Sequence, residues 1–485
     1  RYNRKEIEMK KYNIAFTGVF DIENYGDHLF PLIFREKMKK KGIDCELFLF
    51  SPIGDVQQGY QQNYEVYPLY KLQELHDRYH FDAVIVGGGG ILHYASGKQL
   101  LDKNSTEFVD YKVFETWVIP SLFAYNNKVK LIWNLPGGFH EFDYFYKPLT
   151  RCLCTTVDYM SVRDQYTKDI LTSCNIPADK IYTCLDSAFI MKILFKKEDL
   201  MSIKNKIIQS DSYVIYHANI HLPENEIPEL VENLYKLKCE GHDIVLLPIA
   251  YTHNDQAILN RINEYSINTY GEDGAFTVLG ENLNMMDIMS LLACCKLYIG
   301  VSFHGAVTAL SFSNSAIGYD YMHNGKTKDL FKTLNIPQYY ITNSHELEKT
   351  IQSIKTEGCH VELDQKIVNI NHHFDNMCHI LEEDYKEKDR NQFYLEFSQA
   401  IFEINNFYEK CKNYDDITDQ LSHLDQLARA THIQLENLKY EHQQLQDKYL
   451  ETVNQLEQTT AQLQKIQNTV LYKGYRKVKR VFKNK

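Results

Sequence analysis

Short, mostly apolar segments alternate with longer segments of helical period through the first 195 residues. Residues 14–19, 45–50, 83–86 and 129–134 are the short segments. Buried strands of a parallel sheet have this pattern because helices cover both faces of the sheet. The pattern therefore predicts an α/β domain over residues 9–195. A helix is expected to begin with Asp27 as its cap.

The same alternation restarts after a Lys-rich stretch at residues 192–206. Strands are expected near residues 213–216, 243–249, 297–299 and 316–319, with helices between them. We expect a second domain over residues 207–345, joined to the first by a charged linker. Two Rossmann-like α/β domains with a cleft between them have the general shape of GT-B-type transferases.

From about residue 362 the pattern is purely helical. Residues 362–412 are expected to form a helical connector. From 417 to 470, apolar residues recur at alternating steps of four and three, which predicts a coiled coil over residues 414–470. The coiled coil would join the chain to further copies of itself. The alternative is a solvated helix packed back on the body.

The end of the chain is strongly basic. Residues 473–485 contain seven Lys or Arg and no acidic residue. Leu471, Tyr475, Val478 and Phe482 fall on one stripe, so residues 471–485 are expected to form a basic amphipathic tail. Such a helix is typical of an anionic membrane surface. A frayed, solvated end is the alternative.

Net charge and cysteine usage narrow the function classes. The formal net charge of −11 argues against non-specific nucleic-acid binding. Eleven cysteines without repeated spacing predict neither a disulfide framework nor a zinc site, and a reducing cytoplasm is the expected compartment. No apolar run approaches the roughly 20 residues that span a bilayer.

The most informative segment follows the predicted strand at 297–299. Gly300 ends the strand, and Ser302, His304 and Gly305 stand at the start of a predicted helix. At such a junction backbone N–H groups attract an anion, and a histidine supplies a titratable group. The alternative is a plain crossover with a serine cap and an incidental histidine.

Two basic residues are further candidates. Arg163 ends a predicted strand and is suited to clamp a carboxylate or phosphate; the alternative is a surface pair with Asp164. Lys326 lies in a loop after the strand at 316–319, where it is expected to return to the rim that carries His304. There it could bind phosphate, or it could be an ordinary exposed lysine.

Four consecutive glycines, residues 87–90, follow another predicted strand. They would let backbone approach a phosphate or a sugar closely. The GxGxxG spacing of a dinucleotide site is absent. Asp186, which follows a later apolar segment, is expected to close a turn or to cap a helix.

In this order, the motifs resemble the polysaccharide pyruvyl transferase family over about residues 13–337. The matching residues are Asn24-Tyr25-Gly26-Asp27, residues 84–90, residues 161–164, Asp186, Ser302-Phe303-His304-Gly305, and Lys326 with Asp329-Leu330-Phe331. The resemblance implies transfer of a pyruvyl group from phosphoenolpyruvate to a sugar, with a ketal formed across two hydroxyls. Phosphoenolpyruvate is then a substrate, and no cofactor or metal is implied.

The resemblance also implies roles for particular residues. His304 and Arg163 are the expected catalytic residues, with His304 moving a proton. The donor and its phosphate are expected against Ser302, Gly305, Lys326, Gly88 and Gly89. The acceptor, a sugar or lipid-linked glycan of a surface-polysaccharide precursor, is expected near Asn24 and Asp27.

One departure from the family pattern keeps other functions open. Many members carry an arginine where this chain has Ser302, so one cation is missing from the expected donor site. A nucleotide-sugar-dependent glycosyltransferase, with Glu281 as the candidate nucleotide contact, is one alternative. A non-catalytic scaffold that assembles through the coiled coil is the other. As a transferase, the protein is expected in the cytoplasm, at the inner face of the membrane.

Overall fold

Two parallel β-sheets organise the chain, as the sequence predicts. The computed structural model describes residues 10–54, 65–100, 108–251, 254–323, 325–412, 465 and 470–483. In chain order the strands are β1 (Lys11–Thr17), β2 (Asp44–Ser51), β3 (Val66–Pro68), β4 (Ala83–Val86), β5 (Gly89–Leu92), β6 (Ser96–Leu100), β7 (Phe108–Lys112), β8 (Lys130–Trp133), β9 (Pro136–Gly138), β10 (Met160–Val162), β11 (Ile181–Thr183), β12 (Tyr213–His217), β13 (Asp243–Leu246), β14 (Thr277–Val278), β15 (Leu297–Gly300), β16 (Ser315–Tyr319) and β17 (Tyr340–Ile341).

Helices alternate with these strands and continue after the last of them. They are α1 (Tyr25–Lys40), α2 (Leu72–Tyr79), α3 (Glu115–Asn127), α4 (Lys147–Cys154), α5 (Gln165–Thr172), α6 (Met191–Leu194), α7 (Lys197–Ile207), α8 (Ile227–Cys239), α9 (Asp255–Tyr270), α10 (Met285–Cys294), α11 (Phe303–Ser311), α12 (Lys326–Thr333), α13 (Leu347–Glu357), α14 (Asp364–Glu382), α15 (Arg390–Lys412) and α16 (Val470–Lys483). None of the helices in the described ranges is long and apolar enough to cross a bilayer.

The two large sheets are parallel throughout, while β6 and β7 form a separate antiparallel pair. The first has the order β3-β2-β1-β4-β8, and the second has the order β14-β13-β12-β15-β16-β17. All four residues of β4 are buried, which is the reason that this strand is apolar without alternation. The predicted α/β fold with two Rossmann-like sheets is therefore confirmed.

A continuous hydrophobic core joins the two sheets. Tyr213 and Ile215 of β12 belong to this shared core, together with residues of α1, α10, α11 and α14. Val214 and Tyr216 of the same strand point to the other face, into a separate core beneath α8 and α9. Because strand side chains alternate between faces, β12 serves both cores, and α1 is enclosed between the domains.

Helix α1 begins at a different cap from the one predicted. The cap is Asn24, whose Oδ1 accepts the Gly26 N–H at 3.2 Å, while Asp27 lies in the first turn. Asn24 has the extended backbone that a cap requires. The carboxylate of Asp27 is thus not used for capping.

The Lys-rich stretch at 192–206 is helical rather than a linker. It forms α6 and most of α7, and α7 packs against α10. Leu200 and Lys204 are buried, and Lys204 Nζ donates to the carbonyl of Ser210 at 2.8 Å. The other lysines occupy the solvent side, so a charged composition here reflects an amphipathic helix.

Helix α14 is more than a connector. His373 is buried, with Nδ1 at 3.0 Å from Tyr159 Oη and Nε2 at 3.0 Å from Asn134 Oδ1, both in the first domain. Phe374 is buried beside it in the shared core. Burial lowers the pKa of His373 to about 3, so the side chain is neutral. Helix α14 therefore completes the first domain.

The chain divides into two compact units, Arg1–Ile401 and Phe402–Lys485. Both sheets belong to the first unit. The second contains α16, a helix that spans Val470–Lys483, and the basic amphipathic tail over residues 471–485 stays a prediction. The predicted coiled coil at 414–470 lies outside the described residues, apart from residues 465 and 470.

Candidate active site

The carboxyl ends of the two sheets meet at the start of α1. Residues 23–25, which lead into α1, pair with residues 249–251, which follow β13; we call this contact the interdomain seam. Tyr25 N–H donates to the carbonyl of Ile249 at 3.1 Å. Further along, Tyr25 Oη lies 3.0 Å from Thr308 Oγ1 on α11. The first turn of α1 is thereby brought against α11.

His304 stands in the first turn of α11 and is 9% exposed. Ser302 caps this helix, with Oγ accepting the Gly305 N–H at 3.2 Å. The Tyr298 hydroxyl accepts the Ser302 N–H and donates to the Ser302 carbonyl, each at 3.2 Å. The imidazole meets Phe30 edge to face, with ring centroids 5.4 Å apart. The hydrogen bond between Gly305 and Ser302 therefore caps α11 and fixes the position of His304 between them.

Gly26 makes room for the imidazole. A Cβ atom at position 26 would lie 2.0 Å from Nδ1 of His304 and 2.8 Å from its Cγ. Gly26 belongs to the first domain and His304 to the second. The position of the histidine thus depends on close approach of the two domains.

Asp186 lies between the histidine and a cation. Its Oδ1 accepts the Ala188 N–H at 2.9 Å, and its Oδ2 lies 3.4 Å from His304 Nε2 and 3.7 Å from Arg163 Nη1. These are ion-pair distances, longer than well-formed hydrogen bonds. Burial acts to raise the pKa of Asp186, but its interaction with His304, followed by the charge of Arg163, holds that pKa below its usual range. The carboxyl is therefore ionised.

Arg163 directly follows β10 and is 5% exposed. Its Nε lies 3.4 Å from Asp164 Oδ2, and its guanidinium lies over the Phe303 ring, 4.8 Å from the centroid. A Cβ atom at Gly137 would lie 2.3 Å from Nε, so the glycine admits the side chain. The interpretation as a surface Arg–Asp pair is wrong, because Arg163 is buried at the cleft.

Lys326 is the first residue of α12. Its Nζ lies 5.0 Å from the centre of the Phe139 ring. Burial, aided by the charge of Arg163, lowers the pKa of Lys326 to about 8, while Asp27 and Asp320 act in the opposite direction. Within the described part of the chain, no carboxylate forms an ion pair with this ammonium group. It is a cation with spare capacity for an anion.

Asp27 is electrostatically coupled to these groups. Burial raises the pKa of Asp27 to about 6, against the opposing charges of His304, Lys326 and Arg163. Gly89 has a left-handed backbone (φ +91°), and a Cβ atom there would lie 2.7 Å from Asp27 Oδ1. A carboxyl group with this pKa exchanges protons close to neutral pH.

The other predicted site residues make packing contacts. A Cβ atom at Gly88 would lie 2.2 Å from Phe30, and one at Gly90 would lie 2.0 Å from Phe139. The amide oxygen of Asn24 is engaged in capping α1. The glycines thus let α1 and Phe139 approach the end of β4 closely.

A cavity of about 470 Å³ opens beside the charged groups. Arg163 and Asp186 line it from the first domain, Phe303 and Lys326 from the second, and Asn369 from α14. This volume falls in the range of small-molecule sites, about 300–1,000 Å³. Arg163 and Lys326 both line the cavity, whereas the other predicted site residues are not among its lining residues.

Sequence reasoning misses three residues of this arrangement. It gives Asp186 only a turn or a cap, although the carboxylate also faces Arg163 and His304. Gly26 and Gly137 are missed as packing partners of those same two side chains. No local signal marks such pairs, because their members are far apart in the chain and meet only in three dimensions. Among the described side chains, no three His, Cys, Asp or Glu groups converge on a possible metal site.

The structure is that of a two-domain α/β protein, in which two parallel sheets flank a cavity that is lined by both cations and carboxylates. The model of the polysaccharide pyruvyl transferase family matches residues 24–324, well over half of the chain. The chain therefore belongs to the polysaccharide pyruvyl transferase family, and it is a transferase.

Solved structures with a similar fold share little sequence with this chain. The UDP-GlcNAc 2-epimerase from Methanocaldococcus jannaschii is 11% identical, with 73% of this chain and 95% of that chain covered and a TM-score of 0.48. The UDP-GlcNAc 2-epimerase from Neisseria meningitidis, bound to UDP-GlcNAc, is 12% identical over 77% and 100%, with a TM-score of 0.48. A glycosyltransferase from Rickettsia africae is 13% identical over 77% and 100%, with a TM-score of 0.47. No substrate or residue role is transferred from them.

Proposed function

We propose that this chain transfers the pyruvyl group of phosphoenolpyruvate to a sugar, forms a ketal and releases phosphate. The observation that carries the proposal is a cavity shared by Arg163 and Lys326, beside a histidine held by Asp186. Family membership supports the reaction class. The sugar would belong to a surface-polysaccharide or glycan precursor.

Two cations of the cavity, Arg163 and Lys326, are proposed to bind the donor, although carboxylates also line the cavity. Phosphoenolpyruvate carries a carboxylate and a phosphate. The planar guanidinium of Arg163 suits bidentate binding of either group, and Lys326 supplies a compact second charge. An anion bound beside Lys326 would favour its protonated form. Ser302 offers no charge, and its proposed contribution, with Gly305, is to hold the start of α11.

The reaction adds a proton to the methylene carbon of phosphoenolpyruvate and joins C2 to two acceptor oxygens. The bond between C2 and the phosphate oxygen breaks, and hydrogen phosphate leaves. The two hydroxyl protons of the acceptor complete the balance: one ends on the new methyl group and the other on phosphate. His304 is proposed to move a proton in this sequence, and Asp27, with a pKa of about 6, is suited to exchange it.

The acceptor is proposed to enter through the cavity and to react beside Asp27. Asn24 would act indirectly, since its amide holds the first turn of α1 in place. Gly88 and Gly89 would act likewise, by bringing α1 close to the end of β4. A sugar bound here would have two of its hydroxyls near the reacting carbon, which is the geometric requirement for a cyclic ketal.

The acceptor is proposed to be lipid-linked, with the enzyme at the cytoplasmic face of a membrane. The basic helix α16 supports this, because clustered Lys and Arg bind anionic lipid surfaces. The predicted coiled coil would assemble several copies. Multiple tails on one assembly would bind such a surface more firmly than a single tail.

Thermal unfolding with different donors tests the proposed function. Phosphoenolpyruvate should stabilise the protein, by about 2.7 kcal/mol at 100 times its dissociation constant. Arg163→Gln and Lys326→Gln should each reduce the effect, whereas Lys328→Gln, an exposed neighbour, should not. Stabilisation by UDP-sugars without any by phosphoenolpyruvate would instead favour a glycosyltransferase.

A further inference from the structure

A second buried histidine–carboxylate pair lies at the carboxyl edge of the second sheet. His217 is the last residue of β12, and its Nε2 lies 2.9 Å from Oδ2 of Asp255, the first residue of α9. The two residues are 3% and 0% exposed. The proposed reaction does not involve these two residues, so a different role must explain why a polar pair is buried here.

Asp255 also binds the chain that follows β13. The same oxygen, Oδ2, accepts the Ile249 N–H at 3.1 Å and the Ala250 N–H at 2.7 Å. Burial acts to raise the pKa of Asp255, but the charge of His217 and these donors hold it below its usual range. One ionised oxygen thus fixes two successive peptide groups.

Those peptide groups belong to the interdomain seam. Ala250 forms an antiparallel bridge with Asn24, and Tyr251 N–H donates to the carbonyl of Glu23 at 2.9 Å. The residue that follows the seam on α1 is Gly26, which makes room for His304. The carboxylate of Asp255 is therefore linked to the histidine of the candidate site through three contacts: with Ala250, from Ala250 to Asn24, and from Gly26 to His304.

His217 also contacts β15, the strand that leads into His304. It pairs with Gly300 of β15 in the parallel sheet, and a Cβ atom at Gly300 would lie 2.6 Å from the His217 carbonyl oxygen. Gly300 leads into the Ser302 cap and His304. The pair thus adjoins both chain segments that converge on the candidate site.

We propose that His217 and Asp255 are positioning residues that fix the interdomain seam, and through it the place of Gly26 and Asp27 against His304. The kinetic consequence rests on the proposed function; the effect on the seam does not. His217 Nδ1 and Asp255 Oδ1 are buried without a hydrogen-bond partner within the described residues, a costly arrangement. A well-packed apolar pair would often stabilise a core at least as well, so stability alone is a weak reason for this one.

Amide hydrogen exchange of the full chain, followed by mass spectrometry without ligand, tests the seam directly. His217→Leu removes the donor, Asp255→Asn removes the charge, and His217→Gln keeps a donor near the position of Nε2. His242→Leu is the matched control, because His242 lies at the opposite edge of the same two strands, bound to Ser212. In His217→Leu and Asp255→Asn, peptides covering residues 23–27 and 249–251 should exchange about tenfold faster, with other peptides of the second sheet unchanged. His217→Gln and His242→Leu should resemble the wild type.

Phosphate release from phosphoenolpyruvate supplies the kinetic arm. In His217→Leu, kcat should fall about 10- to 100-fold with little change in the KM for phosphoenolpyruvate, because a misplaced group costs rate rather than donor binding. In His217→Gln, kcat should be close to the wild-type value.

Three results would overturn the proposal. They are unchanged exchange at both seam peptides in folded variants, faster exchange spread evenly over the second sheet, and failure of both His217→Leu and Asp255→Asn to fold. The last two would assign the pair to the core of the second domain. A wild-type chain that releases no phosphate would remove the proposed function and leave the exchange result standing.

Discussion

Gly26 and His304 are in contact between the two domains, beside the interdomain seam, and a Cβ atom on the glycine would lie 2.0 Å from the imidazole Nδ1. The histidine also faces Asp186 through Nε2, at 3.4 Å. The ring is therefore confined from both sides, by the first turn of α1 and by a buried carboxylate. Such confinement sets the direction in which a histidine can move a proton.

Gly26→Ala should displace this ring and inactivate the enzyme. The added methyl group has no room, so either the imidazole or the start of α1 must move. A shift of this size should lower kcat by about 100-fold, with smaller effects on stability. Phosphate release measures the rate. Gly474→Ala is the matched control, because a Cβ atom at that helical glycine meets nothing within 4 Å. Full activity in Gly26→Ala would show that the contact is unimportant.

Asp186→Asn should weaken both activity and folding. Arg163 loses a counter-charge, and His304 loses the carboxylate that faces Nε2, at a cost of about 1–3 kcal/mol in the free energy of unfolding. Because the pKa of Asp186 is lowered on folding, its stabilising effect is present above the unfolded pKa and is lost as pH falls through the folded pKa. The difference between Asp186→Asn and the wild type in urea unfolding should therefore be smaller at pH 3, below the unfolded pKa, than at pH 7.

Asp179→Asn serves as the control for that comparison, since Asp179 is exposed and lies shortly before β11. It should unfold like the wild type at both pH values. An Asp186→Asn protein as stable as the wild type at pH 7 would mean that the carboxylate does not stabilise its two partners.

Lys326→Met should stabilise the ligand-free protein while abolishing donor binding. Folding lowers the pKa of Lys326 to about 8, so below pH 8 the folded state carries a partly buried ammonium group at a cost of the order of 1–3 kcal/mol. Between pH 8 and the unfolded value near 10.5, the unfolded state binds more protons, and the wild type gains stability as pH rises. The advantage of Lys326→Met in urea unfolding should therefore be largest at pH 7 and shrink by pH 10.

Lys328→Met, two residues further on and exposed, should show no such pH-dependent difference. A constant difference between Lys326→Met and the wild type across this range would contradict a lowered pKa and point to packing alone.

Deletion of residues 471–485 should abolish binding to anionic vesicles, since each Lys or Arg near such a surface contributes about 1 kcal/mol. Co-sedimentation with phosphatidylserine vesicles measures it, and neutral vesicles are the control. Gly474→Pro, which keeps all the basic residues but interrupts α16, should bind more weakly than the full chain. Equal binding by the deleted protein would refute the membrane role of the tail.

The sheets were predictable because parallel strands are buried on both faces. The sequence alone predicts a strand at residues 83–86, because a run of four apolar residues followed by glycines is typical of a buried parallel strand. The helical stretch at 192–206 was not predictable from its lysines, because Leu200 and Lys204 are drawn inward by α10, which lies far along the chain.

Only part of the candidate site could be predicted from the sequence, for a similar reason. The sequence predicts Arg163 and Lys326 as site residues because they are cations that follow strands. It predicts His304 because it is a titratable group at the start of a helix. The ionised Asp186 between His304 and Arg163 depends on chain segments more than 100 residues apart. Asn24 rather than Asp27 caps α1 because Asn24 has the extended backbone conformation that a cap requires. Composition does not distinguish these two residues, since both are good caps.

The most direct test of the central claim is acceptor-dependent release of phosphate from phosphoenolpyruvate by the full chain. The acceptors should form a panel of free and lipid-linked sugars, and His304→Ala should be assayed beside the wild type. The proposed function predicts release by the wild type with at least one acceptor, and loss of that release in a folded His304→Ala protein. No release with any acceptor, together with no stabilisation by phosphoenolpyruvate, or full activity in His304→Ala, would contradict it.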